Sequence, residues 1–186
     1  MQRKGISHIL TQINPFGDGN LQIILYFCSR KSPNRNIMII KPKEKLDNSI
    51  KEELQKYVYD IVGVIQDVHS ELPQGMPEYL YQEALNIALD QSGLNPVKEY
   101  QHHPEFRGQK MSSYLKMDIM VPRNRGNIII ECKAIEKLTP KEYQQLFSYL
   151  IGTKFPIGIL VNFHAYPKVV IQRFYYDQRD NTITAF

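Results

Sequence analysis

From Asn48 to the C-terminus the apolar residues change period in a definite order, and that order constrains the fold more than any other feature. SIKEELQKYVYDIVGVIQDVHSEL carries Leu54, Val58, Ile61, Val62, Ile65 and Val68 near i, i+4, i+7 spacing, which predicts one helix with an apolar side, ended by PQGMP. A second helix is predicted from about Glu78 to Ser92, stopping at Gly93, a residue suited to a C-terminal cap. Three strand-like runs follow, VKEYQHHPEFR, SYLKMDIMV and NIIIECKAI. Turn chemistry at Gly108–Gln109 and in PRNRG, 122–126, makes them an antiparallel meander. TPKEYQQLFSYLIGTKFP then announces a helix with a Thr139/Glu142 capping box and Pro140 at its first position, closed by Gly152 and Pro156. IGILVNF and KVVIQRFYY are two further strands. Helix, helix, three strands, helix, two strands is an α/β (α+β mixed sheet) pattern: a central mixed β-sheet flanked by helices.

Length and charge narrow what such a domain can do. At 186 residues there is room for one domain with a substantial core but not for a second full one. No apolar run reaches the length of a membrane span, and the polar interruptions after MQRKGISHIL do not make a signal peptide, so a cytoplasmic protein is expected. Cys28 and Cys132 cannot form a disulfide framework or a zinc site between them. Neighbouring His102 and His103 would point to opposite faces of a strand, poorly placed to chelate one ion.

The net charge of +4 suggests nucleic acid, but residues 1–47 hold eight Lys/Arg against three Asp/Glu, while residues 48–186 hold 15 against 16. The basic excess therefore says little about the ligand of the main domain. Residues 1–47 read as an appendage dispensable for the core. They form either a small hairpin of LQIILYFC and IMIIKP or a poorly ordered segment, and Met38 is an alternative start. The main domain is then 48–186.

Inside NIIIECKAI, three isoleucines give way to Glu131 and Lys133 on one face, while Ile128, Ile130, Cys132 and Ala134 share the other. Charges beside a core are costly unless they pair or hold a metal. The plain alternative is an edge strand with a solvated salt bridge. In YLKMDIMV, Leu115, Met117, Ile119 and Val121 are expected on the buried face and Asp118 on the other. A turn centred on Asn124 places 118 opposite 130, so Asp118 falls within about one residue of Glu131, close enough for two carboxylates to share an ion. On the second helix Tyr79, Glu83, Asn86 and Asp90 form the solvent face, whereas Glu78 points inward, either toward the site or simply as a first-turn acid. Gln145 and Tyr149 share a face of the third helix and, taken alone, read as solvent decoration. The chemistry that uses two carboxylates and a lysine is metal-assisted phosphodiester hydrolysis, with Mg²⁺ or Mn²⁺ as the hard cation. Lys110, Lys116, Arg123, Arg125, Lys137 and Lys141 could supply local positive charge, or form a solvated face.

An Asp 13 residues before Glu-x-Lys resembles the PD-(D/E)XK nuclease superfamily, with Met117 standing where the proline of that name would be. GMPEYLY, Gly75 to Tyr81, is similar to the Gly-x-x-Glu-x-x-Tyr signature of the bacterial GxxExxY proteins, a branch of that superfamily. IVGVIQDVHSELPQG, YQEAL, YLKMDIMV, IIIECKAIEKLTP, QLFSYL and PIGILVNF resemble its blocks in order over about residues 60–175. The resemblance implies a restriction-endonuclease-like core, Asp118 and Glu131 as metal-binding acids, Lys133 as the catalytic lysine and Glu78 as a further metal-binding acid. QLFSY is similar to the Gln-x-x-x-Tyr motif of RecB-like nucleases, which implies that Gln145 and Tyr149 lie near metal and substrate. Tyr81 belongs to the signature without an assignable role. The expectation is a metal-dependent nuclease acting on DNA or RNA; the alternative is a non-catalytic nucleic-acid-binding or accessory protein that keeps the fold.

Overall fold

The computed structural model describes residues 48–186, together with the backbone of three strands before them, β1 (Gln12–Ile13), β2 (Ile23–Phe27) and β3 (Asn36–Lys41). There follow α1 (Asn48–Tyr57), α2 (Tyr59–Glu71), α3 (Glu78–Gln91), β4 (Val97–His102), β5 (Glu105–Phe106), β6 (Gln109–Lys110), β7 (Leu115–Val121), β8 (Ile128–Lys133), α4 (Pro140–Thr153), β9 (Ile157–Asn162), β10 (Val170–Asp177) and β11 (Thr182–Ala185). The sheet order is β1-β2-β3-β11-β10-β9-β8-β7-β4, with six of the strands contributed by residues 48–186. The pairs β8–β9 and β3–β11 are parallel and the others antiparallel, so the sheet is mixed as expected. The hairpin of LQIILYFC and IMIIKP corresponds to the antiparallel pair β2–β3. The rest of the expectation for residues 1–47, including Met38 and Cys28, lies outside the described side chains and loops.

Helices cover both faces. On one, Ile61, Ile65 and Val68 of α2 and Tyr81, Leu85 and Leu89 of α3 pack on Ile128, Ile130, Ile157, Ile159 and Val161. On the other, Leu146, Phe147 and Leu150 of α4 pack on Ile129, Leu160, Phe174 and Ile183. This is why β8 reads as an unbroken apolar run: it is a central strand buried on both sides, not an edge. A parallel β8–β9 pair needs a crossover, and α4 is that crossover.

Several element boundaries differ from the periodicity. The long first helix is two, broken at Val58 (φ −107°, ψ 3°), although hydrogen bonds from Val58 N to Leu54 O and from Val62 N to Val58 O carry the chain through the bend. Gly93, at φ 73°, closes α3 as expected, with Leu94 N donating to Leu89 O. The Thr139/Glu142 box and Pro140 open α4, but Gly152 does not close it. Lys154 takes the left-handed cap at φ 64°, and Gly152 lies inside the helix, where a Cβ would stand 2.5 Å from Leu115 Cδ1. The glycine is there for close helix–sheet approach. The turn at 107–108 is a two-residue hairpin, with Arg107 at φ 53° and Gly108 at φ 77°, joining β5 to β6 as a separate small sheet. β11 follows a turn at Asn181 and was not anticipated; TITA is too short to show a period.

The face assignment of β7 needs correction. Leu115 and Met117 pack on the α4 side, whereas Ile119 and Val121 pack on the α2–α3 side, although all four share strand parity. Strand β7 therefore rolls over at Asp118. Opposite that position in β4, Glu99 adopts φ 54° and drops out of the register between Lys98↔Ile119 and Tyr100↔Met117. The β7–β8 ladder stops at the same place, at Ile119↔Ile130.

Candidate active site

Where the β7–β8 ladder stops, side chains replace backbone as hydrogen-bond partners. Asp118 N donates to Glu131 Oε1 at 3.2 Å, and Cys132 N donates to Asp118 Oδ2 at 2.9 Å. The register is one residue from the expected one, since 119 and not 118 faces 130, and the shift brings Asp118 directly beside Glu131. Buried N–H groups must find acceptors, so the splayed strands hold both carboxylates in place.

Glu131 is fully buried and Asp118 largely so. Burial pushes the Glu131 carboxyl up to about 8, the neighbouring Asp118 charge adds to the rise, and Lys133 opposes it. Burial likewise raises Asp118, against the Cys132 N–H and Lys133. Burial alone would pull Lys133 down, but Glu131, Asp118 and Glu78 together hold it above its ordinary value, so it stays an ammonium. Its Nζ lies 3.6 Å from Glu131 Oε2 and 3.9 Å from Glu78 Oε1.

Each flanking helix delivers one group. From α3, Glu78 accepts the Ala134 N–H on Oε2 at 3.3 Å and the Gln82 amide on Oε1 at 3.3 Å. Its inward direction is thus used by the strand and lysine as well as by its place in the first turn. From α4, Gln145 Nε2 donates to Glu131 Oε2 at 3.1 Å and to Tyr149 Oη at 3.0 Å. Solvent decoration does not describe this pair: both are half-buried, and Gln145 touches the carboxylate itself. The Tyr149 hydroxyl is raised by burial, against its bond from Gln145, and remains protonated.

The donor set suits a hard divalent cation. Asp118 and Glu131 present oxygen alone, and two buried carboxylates that cannot both ionise comfortably are a place where a cation substitutes for a proton. Among the described residues no three His, Cys, Asp or Glu side chains converge as a cage. The close pair is Asp118–Glu131, with Glu78 joined to it through Lys133, Gln82 and the Ala134 N–H. Two carboxylates are within what Mg²⁺ requires, the rest of its shell being water.

The raised carboxyl gives a signed expectation. With EDTA, the contribution of Glu131 to stability is fully present below about pH 4.5 and is lost as pH rises toward about 8, because over that window unfolded Glu131 is ionised while folded Glu131 retains its proton. Mg²⁺ or Mn²⁺ should raise Tm most at the alkaline end, where no proton competes. Thermal unfolding across pH with and without cation measures this, and a flat metal-free profile would contradict it.

Sequence reading missed the residues that brace the site. Gln82 bonds Glu78 and also holds the Asp118 carboxyl down. Asn162, buried at the end of β9 in register with Lys133, grips the segment after that lysine: Nδ2 donates to Ile135 O at 2.7 Å, and Oδ1 accepts from Ile135 N and His164 N at 3.2 Å each. Phe163 N donates to Lys133 O at 2.8 Å. An asparagine ending an apolar strand was the available signal. Asn162→Ala strands main-chain groups at 135 and 164 and should cost about 1–3 kcal/mol in urea unfolding. An unchanged midpoint would show the clamp to be idle.

The Tyr81 of the signature also has a place. Its ring stacks on Phe163 at 4.7 Å and 5°, and its hydroxyl donates to Pro73 O at 2.9 Å. The basic side chains are less available than the sequence suggested. Lys116 pairs with Glu99 at 2.8 Å, Arg123 with Asp60 and Arg125 with Glu53, and both arginines sit in the turn at the opposite end of β7–β8 from Asp118. His103 is tied to Met111 O and the Tyr114 ring. Among the described residues no helix is long and apolar enough to cross a membrane.

No curated protein matches this chain. Among solved structures, the crystal structure of SSO0001 is similar at 20% identity with a TM-score of 0.39, over 70% of this chain and 60% of that one. Residues 55–174 match the family model described as the PD-(D/E)XK nuclease superfamily, a span that runs from α1 into β10 and contains the helices and strands bearing Glu78, Asp118, Glu131, Lys133 and Gln145. With that match over more than half its length, the chain belongs to the PD-(D/E)XK nuclease superfamily.

Proposed function

We propose that this protein is a metal-dependent nuclease of the GxxExxY branch, hydrolysing phosphodiester bonds in DNA or RNA. The observation that carries the reading is the buried Asp118–Glu131 pair with the Lys133 ammonium lying between Glu131 and Glu78. Asp118 and Glu131 would hold Mg²⁺ or Mn²⁺, with Glu78 as the further acid. The cation, when bound, supplies electrophilic pull on the scissile phosphate and a more acidic water. Lys133 donates hydrogen bonds to the attacking water or to a non-bridging phosphate oxygen, stabilising charge as the water O–P bond forms and the ester P–O bond breaks. Gln145 orients Glu131, and Tyr149 orients Gln145 while offering its hydroxyl toward substrate. Residues 48–186 are the nuclease domain, 1–47 an appendage to it, and the compartment is the cytoplasm.

The test incubates purified protein with single- and double-stranded DNA and RNA, with Mg²⁺, Mn²⁺ or EDTA, beside Asp118→Ala. Cation-dependent cleavage absent from the variant supports the nuclease. A second reading, a nucleic-acid-binding or accessory protein that keeps the fold, is favoured by one observation: three candidate phosphate-binding cations are already paired with acids. Nucleic acid bound without cleavage under every condition would select it.

A further inference from the structure

Four tyrosines among the described residues are exposed, and three of them lie within four residues of a residue that forms or braces the site. Tyr79, 63% exposed, follows Glu78 on α3. Tyr114, 49% exposed, precedes Asp118 by four residues at the entrance to β7. Tyr166, 74% exposed, follows by four residues Asn162, the register partner of Lys133. Four residues of chain reach at most about 14 Å, so all three backbones are bound within that radius of a site residue. The fourth, Tyr59, opens α2 beside Asp60, whose partner Arg123 marks the far end of the β7–β8 hairpin. Single exposed aromatics are ordinary; here one lies on α3 and two flank β7 and β9, which carry or brace one site. The β5–β6 hairpin carries a further exposed ring, Phe106 at 63%, with the Arg107 guanidinium 5.2 Å from it.

Charge disfavours one manner of holding substrate. Residues 48–186 carry one acid more than bases, and Lys116, Arg123 and Arg125 are already paired. A domain without net positive charge is poorly suited to the many phosphate contacts by which long duplexes are gripped. Exposed rings offer another source of affinity, since unpaired bases stack on aromatic side chains whatever their sequence, whereas bases inside a duplex have no free face.

We propose that the site takes single-stranded nucleic acid, held by base stacking on Tyr79, Tyr114 and Tyr166. The proposal deepens the nuclease reading and rests on it for the path of the strand past Lys133; the stacking surface itself is separately measurable. The full chain in EDTA is titrated into fluorescent oligothymidylate and into a duplex of equal length, and anisotropy is read. Oligothymidylate should bind about tenfold tighter or more. Tyr114→Ala and Tyr166→Ala should each weaken it roughly fivefold or more, with Phe at the same positions restoring binding. Tyr59→Ala should match the wild type. Tighter duplex binding, no single-strand binding, or tyrosine variants indistinguishable from wild type would each overturn the proposal. Adding Mg²⁺ to the same samples separates the two claims. Tyrosine-dependent binding without cleavage removes the nuclease and leaves the surface, whereas cleavage of duplex without single-strand binding does the reverse.

Discussion

Lys133→Ala is expected to leave a folded protein that cleaves roughly 10²–10³-fold more slowly, the scale on which removal of one preorganised charge-stabilising donor is felt. Lys133 is the cation facing Glu131 and Glu78 at 3.6 and 3.9 Å, and three acids hold it charged against burial. Its loss also leaves Asp118 and Glu131 with less relief from mutual repulsion, so the variant should retain divalent-cation binding, detectable as a Tm rise with Mn²⁺, while losing turnover. That split separates chemistry from folding and from cation capture. A variant that cleaves at the wild-type rate would remove Lys133 from the mechanism.

Tyr81→Ala should cost about 3–5 kcal/mol in urea or thermal unfolding, the range for deleting a large buried aromatic. The ring is almost wholly buried against Phe163, and the side chain crosses from α3 to the end of β9. Tyr81→Phe keeps the stack and strands Pro73 O, for a loss of about 1 kcal/mol. The difference between the two variants measures what the ring does apart from the hydroxyl. Equal small losses in both would show that Phe163 tolerates the gap. The spacing of Gly75, Glu78 and Tyr81 then has a physical explanation. Gly75, at φ 76°, turns the chain into α3, Tyr81 pins that turn through Pro73 and Phe163, and Glu78 in the first turn of the helix is left facing Ala134 N and Lys133.

Legibility followed the range of the interactions. The capping box, the Gly93 cap and the antiparallel meander depend on neighbours a few residues away, and each was readable, whereas the turn read at Gly108–Gln109 lies at 107–108 and closes a separate small hairpin. Gly152 was misread because its reason is Leu115, far away in sequence. The strand β11 lacks enough residues to show a period, and the bend at Val58 leaves none, because the helical spacing and hydrogen bonds run through it.

By itself the sequence determined the mixed sheet flanked by helices and brought Asp118, Glu131 and Lys133 together as candidates, because helix and strand periods and strand register are local properties of the chain; the resemblance to the superfamily's motifs added Glu78, Gln145 and Tyr149. Only the tertiary structure decided how that set is assembled. The roll of β7 at Asp118 coincides with a break in pairing at Glu99 on another strand. The placement of Lys133 between two acids requires α3 on one face of the sheet, while Gln145 reaches Glu131 from α4 on the other. The bracing by Asn162 and Phe163 exists because a parallel β9 ends beside β8. These contacts join residues up to 56 positions apart, such as Glu78 and Ala134, and no periodicity encodes them.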